Sequence, residues 1–351
     1  MTRASSGIQQ PYELIDVGAW THPETLPVKT GSRDAQVIIS PKISEFDFLV
    51  PGHQYRLKFS SSRAPEQFWN EILAHRLGTY IGISVPPTHL GYNSLTRQVG
   101  ALSEYFYGHP NHPHQVFRHG GDILQGEVKN YDRRRGRKHN FHSIASWFKF
   151  LERNRLINED WREYWAKAFL LDALMGNTDR HHDNWGAVWT TPRNGRLSVR
   201  LAPLFDNGTS MGYELPAKSF ADLLDRVRLL RYVNRGTHQM LWRAEDARRL
   251  SHPHFLKKFY DEFPAQRKGI LERLRISDRT ISEVVLGLTK FRSPVPLSRA
   301  RADFMIWLLK FRRDLLRHTL LHQLSAHCFA RPHDLIVSDE AATFSSALAD
   351  G

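Results

Sequence analysis

The sequence predicts an α+β fold of two lobes, a small β-rich N-lobe followed by a larger, mostly helical C-lobe. Three observations predict it. The first 50 residues are rich in Pro, Gly and Ser and carry only short apolar runs. Residues 108–121 crowd Gly, His and Pro together, which marks a boundary. Beyond it, apolar residues recur at helical spacing almost to the end. On this reading residues 1–107 form the N-lobe with a hinge near 101–107, residues 108–333 the C-lobe, and residues 334–351 a flexible tail.

Each element follows in order. The run Gln36-Val37-Ile38-Ile39-Ser40 suits a strand in a sheet with tight turns. Phe46 to Val50, then Pro51-Gly52-His53-Gln54, then Tyr55 to Phe59 reads as a β-hairpin. In its second strand Tyr55, Leu57 and Phe59 face one side, and Arg56, Lys58 and Ser60 the other. A helix is expected from Pro65 to Tyr80, with Phe68, Ile72, Leu73 and Leu77 as its stripe and Gly78 or Gly82 near its stop. Val99 to Phe106 is a strand or connector. Helices are then expected over Phe141 to Leu151, over a segment capped by Asn158 and ending at Met175, and over Ala217 to Tyr232. Further helices are expected over Pro253 to Leu274 with a break at Pro264, over Ser282 to Lys290, and over Arg299 to Leu324. Tryptophans at helical spacing read as core.

Bulk composition narrows the function classes. A chain of 351 residues can bury two real cores. No apolar run approaches the roughly 20 residues of a membrane-spanning helix, and the N-terminus does not read as a secretory signal. Cys328 is the single cysteine, which excludes an internal disulfide and a Cys-based metal site and suits a reducing cytoplasm. The formal charge of +13 favours polyanionic partners, nucleotides and nucleic acid among them, without choosing one. The densest basic run, Arg133 to Lys138, is a solvated loop or a dock for a polyanion.

The chemistry concentrates in Gly176-Asn177-Thr178-Asp179-Arg180-His181-His182-Asp183-Asn184-Trp185 and in the apolar run Val199 to Phe205 leading into Asp206-Asn207-Gly208. Phosphoryl transfer needs a carboxylate to orient the attacking hydroxyl, hard oxygen ligands for Mg²⁺, and a cation against the phosphates. Asp179 supplies the first, Asn184 and Asp206 the second, and Lys58 the third, with Glu71 on the next helix placed to pair with Lys58. Strand Lys, helix Glu, Asp-x4-Asn loop and metal Asp stand here in protein-kinase order. His181 and His182 brace the loop in preference to binding a transition metal, and Asp172 is a structural polar group beneath it.

These segments, GNTDRHHDNWG and LAPLFDNGTS, closely resemble the HipA-like kinase family, itself distantly similar to atypical protein kinases related to lipid kinases. TGSRDAQV resembles the family's phosphate loop, YRLKFS its ATP-lysine strand, PEQFWNEILAHRLGTYIGI its glutamate helix and GALSEYF its interlobe hinge, so the likeness spans about residues 30–320. The resemblance implies a protein-kinase-like fold that uses ATP and Mg²⁺. It implies Asp179 as catalytic carboxylate, Asn184 and Asp206 as Mg²⁺ ligands, and Lys58, paired with Glu71, on the ATP phosphates. Gly31 and Ser32 would offer backbone groups to phosphate, and Glu104, Tyr105 and Phe106 would lie beside the adenine. The ATP lysine comes as early as position 58, without a recognisable toxin-type N-terminal subdomain before it. That sets the chain beside compact stand-alone members and weighs against an antitoxin partner. The expected activity is transfer to Ser or Thr of an unknown protein, itself included; a small-molecule or lipid phosphotransferase and a nucleotide-binding pseudokinase are the alternatives.

Overall fold

A computed structural model describes residues 8–24, 35–110, 114–136, 138–191 and 195–322. Gly31, Ser32, Arg137 and the expected tail lie outside the described residues. The fold is α+β, a small sheet-rich lobe followed by a larger helical one, as the sequence predicts.

The first lobe is built on β1 (Ile15–Asp16), β2 (Ala35–Ile39), β3 (Gln54–Phe59), α1 (Trp69–Ile81), β4 (Thr88–Asn93) and β5 (Gln98–Glu104). Its sheet runs in the order β1-β4-β5-β3-β2. The period-2 pattern of β3 holds: Tyr55, Leu57 and Phe59 are buried in one apolar cluster with Ile38 and Leu102, while Arg56 and Lys58 face a cleft on the other side. The hairpin expectation fails in its first half. Residues 46–50 are turn and loop, and β2 takes their place, antiparallel to β3 from Ala35 opposite Lys58 to Ile39 opposite Gln54. The reason is packing. Phe48 and Leu49 bury their side chains against the sheet face, and the Val50 N–H donates to the Tyr55 hydroxyl at 2.8 Å, so the segment covers the core without pairing as a strand.

Helix α1 starts at Trp69, four residues after Pro65, because residues 61–67 close successive tight turns. It ends on Gly82, whose φ of 67° is the left-handed cap that glycine takes without strain. The run 88–93 pairs with β5, a strand that its Gly91 and short polar residues hid from a pattern reading.

The second lobe opens with β6 (Gln115–His119), α2 (Gly120–Glu127), α3 (Phe141–Arg153), α4 (Trp161–Met175), β7 (Gly186–Thr190) and β8 (Ser198–Leu201). β6, β7 and β8 form a second, antiparallel sheet. Helix α4 is capped by Asp160, whose side chain accepts from the Arg162 N–H, and not by Asn158. Its buried residues lie on all sides, which marks it as the helix through the core. Trp161, Trp165 and Trp185 are fully buried there.

The chain closes with α5 (Arg226–Arg235), α6 (His252–Glu262), α7 (Arg267–Arg273), α8 (Asp278–Thr289) and α9 (Arg299–Leu321). The break at Pro264 appears as a 3-10 turn between α6 and α7. The helix expected from Ala217 is two 3-10 turns, and α5 begins only at Arg226, where Asp225 caps it through the Arg228 N–H. Helix α8 begins four residues before Ser282, at the Ser277 cap. Among the described residues no helix is long and apolar enough to cross a membrane.

Candidate active site

The alternation of β3 aims Lys58 into the space between the lobes. Its ammonium lies 2.9 Å from Glu71 Oε1 and also contacts the Asp206 carboxylate. Glu71 sits in the first turn of α1, and its other oxygen accepts from the Asn207 N–H at 2.7 Å. One glutamate thus holds the lysine and the loop after β8 at once. The same loop is tied to this segment three times more: Gln67, just ahead of α1, donates to the Gly208 carbonyl at 3.1 Å, and Asn70 to the Gly208 and Ser210 carbonyls at 3.2 and 2.9 Å.

The second loop hangs from α4. Gly176 ends that helix in the left-handed region at φ 65°, and the chain turns out of the core into residues 177–184. The Asn177 side chain accepts from the Asp179 N–H at 3.0 Å. Asn184 donates its side-chain N–H to the Asp179 carbonyl at 2.6 Å, so the two residues five apart close one ring. The Asp183 N–H donates to His181 Nδ1 at 3.1 Å, a loop-bracing role.

Arg180 joins the two loops. It is fully buried. Its guanidinium donates to both oxygens of Asp172, at 3.1 and 2.8 Å. It also donates to the Asn184 and Phe205 carbonyls at 2.9 and 2.6 Å, and to Asn207 Oδ1 at 2.7 Å. Asp172 has a further donor, His238 Nε2 at 3.3 Å. Burial alone would push the Asp172 carboxyl up, but Arg180 and His238 outweigh it and hold the group well below the usual carboxylate range. Asp172 is therefore the buried counter-ion beneath the loop, as its place on α4 suggests. β8 ends at Leu201, short of the strand expected through Phe205, and Asp206 sits at φ 56°, a turn conformation that aims its carboxylate back at Lys58.

A cleft of about 300 Å³ lies where these parts meet. Lys58, Glu71, Asp206 and Asn207 line its polar end, and Tyr105, Phe106, Phe117 and Phe205 its apolar walls. Phe106 stacks on Phe205 at 5.3 Å between ring centroids, and the Arg200 guanidinium donates to the Phe106 carbonyl. The structure thus brings Lys58, Glu71, Glu104, Tyr105, Phe106 and Asp206 to one cavity. Asp179 and Asn184 stand outside its lining, on the loop that Arg180 fastens to it. Glu104 differs from its neighbours. It lies opposite Tyr55 in the sheet register, so its carboxyl turns to the far face, where the Tyr55 hydroxyl is 3.4 Å away. Burial pushes that carboxyl up to about 7, against the Tyr55 hydrogen bond.

Arg180, Phe117, His119, Phe205 and Asn207 escaped the sequence reading. The first had a signal: a buried acid on α4 demands a cation. Phe117 and His119 fall in the Gly/His/Pro-rich stretch that reads as a boundary. Chemically the site offers hard oxygen donors on Asn184 and Asp206, a fixed cation at Lys58, and an apolar slot of a size for a planar ring.

The proinflammatory kinase CtkA of Helicobacter pylori shares this fold, with a TM-score of 0.62 and 16% identity over 89% of this chain and 100% of that one. A chain of the Shewanella oneidensis MR-1 toxin–antitoxin complex of HipA, HipB and operator DNA matches with a TM-score of 0.43 and 14% identity, over 86% of this chain and 71% of that one. No curated protein matches the sequence. The family model of the HipA-like C-terminal domain matches residues 50–275, most of the described chain and the whole of the cleft with its two loops, and the protein belongs to that family.

Proposed function

We propose that this protein is an ATP- and Mg²⁺-dependent kinase that transfers the γ-phosphate to Ser or Thr hydroxyls of a protein. The observation that supports this reading best is the bridge of Lys58 between Glu71 and Asp206 at the polar end of an aromatic-walled cleft. In this reading Tyr105, Phe106 and Phe205 hold the adenine, with the backbone at Glu104 along its edge. Lys58 neutralises phosphate oxygens, and Glu71 keeps its ammonium from swinging away. Gly31 and Ser32 lie outside the described residues; the family resemblance assigns their backbone groups to phosphate. Asn184 and Asp206 would hold Mg²⁺, which when bound draws charge from the phosphate oxygens. Asp179 accepts the proton of the attacking hydroxyl. Arg180 keeps the Asp179 loop and the Asp206 loop at fixed spacing, so that hydroxyl and phosphate meet in line.

The residues fit this group of ligands. The donors at the polar end are oxygens and an ammonium with no soft ligand among them, which matches Mg²⁺ and phosphate. The test is incubation of the full chain with γ-labelled ATP and Mg²⁺, followed by phosphoamino-acid analysis of the protein and of a host lysate. Labelled phosphoserine or phosphothreonine that disappears in Asp179→Ala is the expected result. ATP turnover with no labelled protein would move the acceptor to a small molecule or lipid. Nucleotide binding with no turnover would make the chain a pseudokinase.

A further inference from the structure

Behind the cleft wall, His53, Glu104 and His109 each bring one metal-ligating atom within 4.8 Å of the other two, the one such cluster of three among the described residues. None of the three carries a part of the phosphoryl-transfer reading through its side chain. We propose that they form a binding site for a borderline divalent transition metal of the Zn²⁺ class, set on the hinge strand and separate from the Asn184/Asp206 centre.

The donor set argues for this class of ion. Two imidazoles and a carboxylate suit Zn²⁺ and its neighbours in the series, with a water in the fourth position, and do not suit Mg²⁺. The second nitrogen of His53 is already engaged. His53 Nε2 stands 2.6 Å from the Tyr105 carbonyl, so it carries the proton and donates, which leaves Nδ1 with the lone pair. A backbone carbonyl that fixes the tautomer of a ligating histidine is the usual outer-sphere partner at such sites. The Tyr55 hydroxyl, at 3.4 Å, plays the same part for Glu104.

Charge points the same way. Glu104 is buried on the apolar face of the sheet, where burial disfavours its anion, and a bound dication restores it. His109 Nε2 lies 3.8 Å from Glu104 Oε1, and its side chain is 27% exposed, which gives an ion a path from solvent. The imidazoles of His53 and His109 stack at 4.1 Å with planes 11° apart. Lone pairs of parallel rings lie in their own planes and cannot both reach one ion, so the proposed site requires one of the two rings to rotate on binding, and His109, the ring on the solvent side, is the one placed to do so. The backbone of residues 104–105 forms cleft wall and metal-site floor together, so an ion here grips the hinge from behind.

The full chain, stripped with chelator and free of Mg²⁺ and nucleotide, is titrated with Co²⁺ and then back-titrated with Zn²⁺. One equivalent of Co²⁺ should produce the strong visible bands of a four- or five-coordinate ion, and Zn²⁺ should abolish them. His109→Ala, at a partly exposed position, and the near-isosteric Glu104→Gln should each weaken binding by about tenfold or more, with folding checked by circular dichroism. Asp206→Asn should leave the bands unchanged. A spectrum of six-coordinate aquo Co²⁺, loss of the bands in Asp206→Asn, or full binding by either the His109 or the Glu104 variant overturns the proposal.

Discussion

Lys58 leaves β3 on the face opposite Tyr55, Leu57 and Phe59, so its removal spares the sheet core and takes the ammonium from between Glu71 and Asp206. Lys58→Met should therefore cripple transfer, and any fall in the denaturation midpoint should come from the Glu71 and Asp206 carboxylates left without their cation, not from the sheet core. Because Glu71 holds that ammonium at 2.9 Å, and a glutamine can still accept from the Asn207 N–H, Lys58→Met/Glu71→Gln should transfer hardly more slowly than Lys58→Met alone. Effects that add in full would separate the two side chains. Asp179 and Asp206 divide along another line. If Asp179 is the general base proposed above, Asp179→Ala should lower transfer by about 10²–10⁴-fold and leave ATP affinity near wild type, since a general base contacts the hydroxyl and not the nucleotide. Asp206→Asn retains a residue that tolerates φ 56°, and should lose Mg²⁺-dependent nucleotide affinity together with rate. Calorimetric titration of Mg²⁺·ATP checks both, and unchanged binding in Asp206→Asn would remove it from the metal site. The types of these residues and their order were legible in the sequence. Arg180 was not assigned, because an arginine next to an aspartate reads as an exposed charge until the fold buries both it and Asp172.

At the scale of elements, the end of α4 sets where the Asp179 loop begins. Gly176 caps the helix at positive φ, and a Cβ placed on it would come within 2.1 Å of Arg312 Nη2. Arg312 reaches there from α9 to donate to the Met175 carbonyl at 2.6 Å. Gly176→Ala must therefore both strain the cap and displace a buried guanidinium, and should cost about 2 kcal/mol or more. A denaturant titration measures it; a midpoint equal to wild type would show that the cap adapts freely. Helical spacing revealed most of the second-lobe helices, since a 3.6-residue stripe is a local property. The starts drifted where caps compete: Asp160, two residues further on, prevailed over Asn158, and α8 began at Asp278 behind the Ser277 cap, four residues ahead of the expected Ser282. Strand partners were less legible. A strand's apolar face says which way it looks and nothing about which segment lies beside it, so residues 46–50 passed for the mate of β3 when the mate was β2.

Across the whole molecule, the buried pair of Asp172 and Arg180 couples the stability of the helical lobe to that of the site. The Asp172 carboxyl is held below its ordinary value of 3.8 in the folded protein. A depressed acid contributes stability that is complete well above that value and is lost as the pH falls through it, because the unfolded chain takes the proton first. Wild-type stability should therefore decline from about pH 5 downward, in part through this group. Asp172→Asn should lose about 3 kcal/mol or more at neutral pH, by leaving the Arg180 charge without its counter-ion, and should lose less on further acidification. Unfolding monitored by fluorescence of the buried tryptophans across pH 3–7 measures both effects. Parallel curves for variant and wild type would show that Asp172 titrates alike in both states.

Local pattern determined much about this protein: two lobes of different secondary structure, a lysine on an inward strand face, a glutamate in the next helix, and two polar loops at the ends of apolar runs. Those are consequences of periodicity and of residue chemistry, which need no knowledge of neighbours in space. The tertiary structure alone decided what those parts do to one another. It placed Arg180 between two loops distant along the chain, joining residues 184, 205 and 207 through one guanidinium. It turned the Glu104 carboxyl away from the cleft toward His53 and His109. Both outcomes depend on strand register and helix packing, where contacts distant in sequence win by burying more apolar surface than any local alternative.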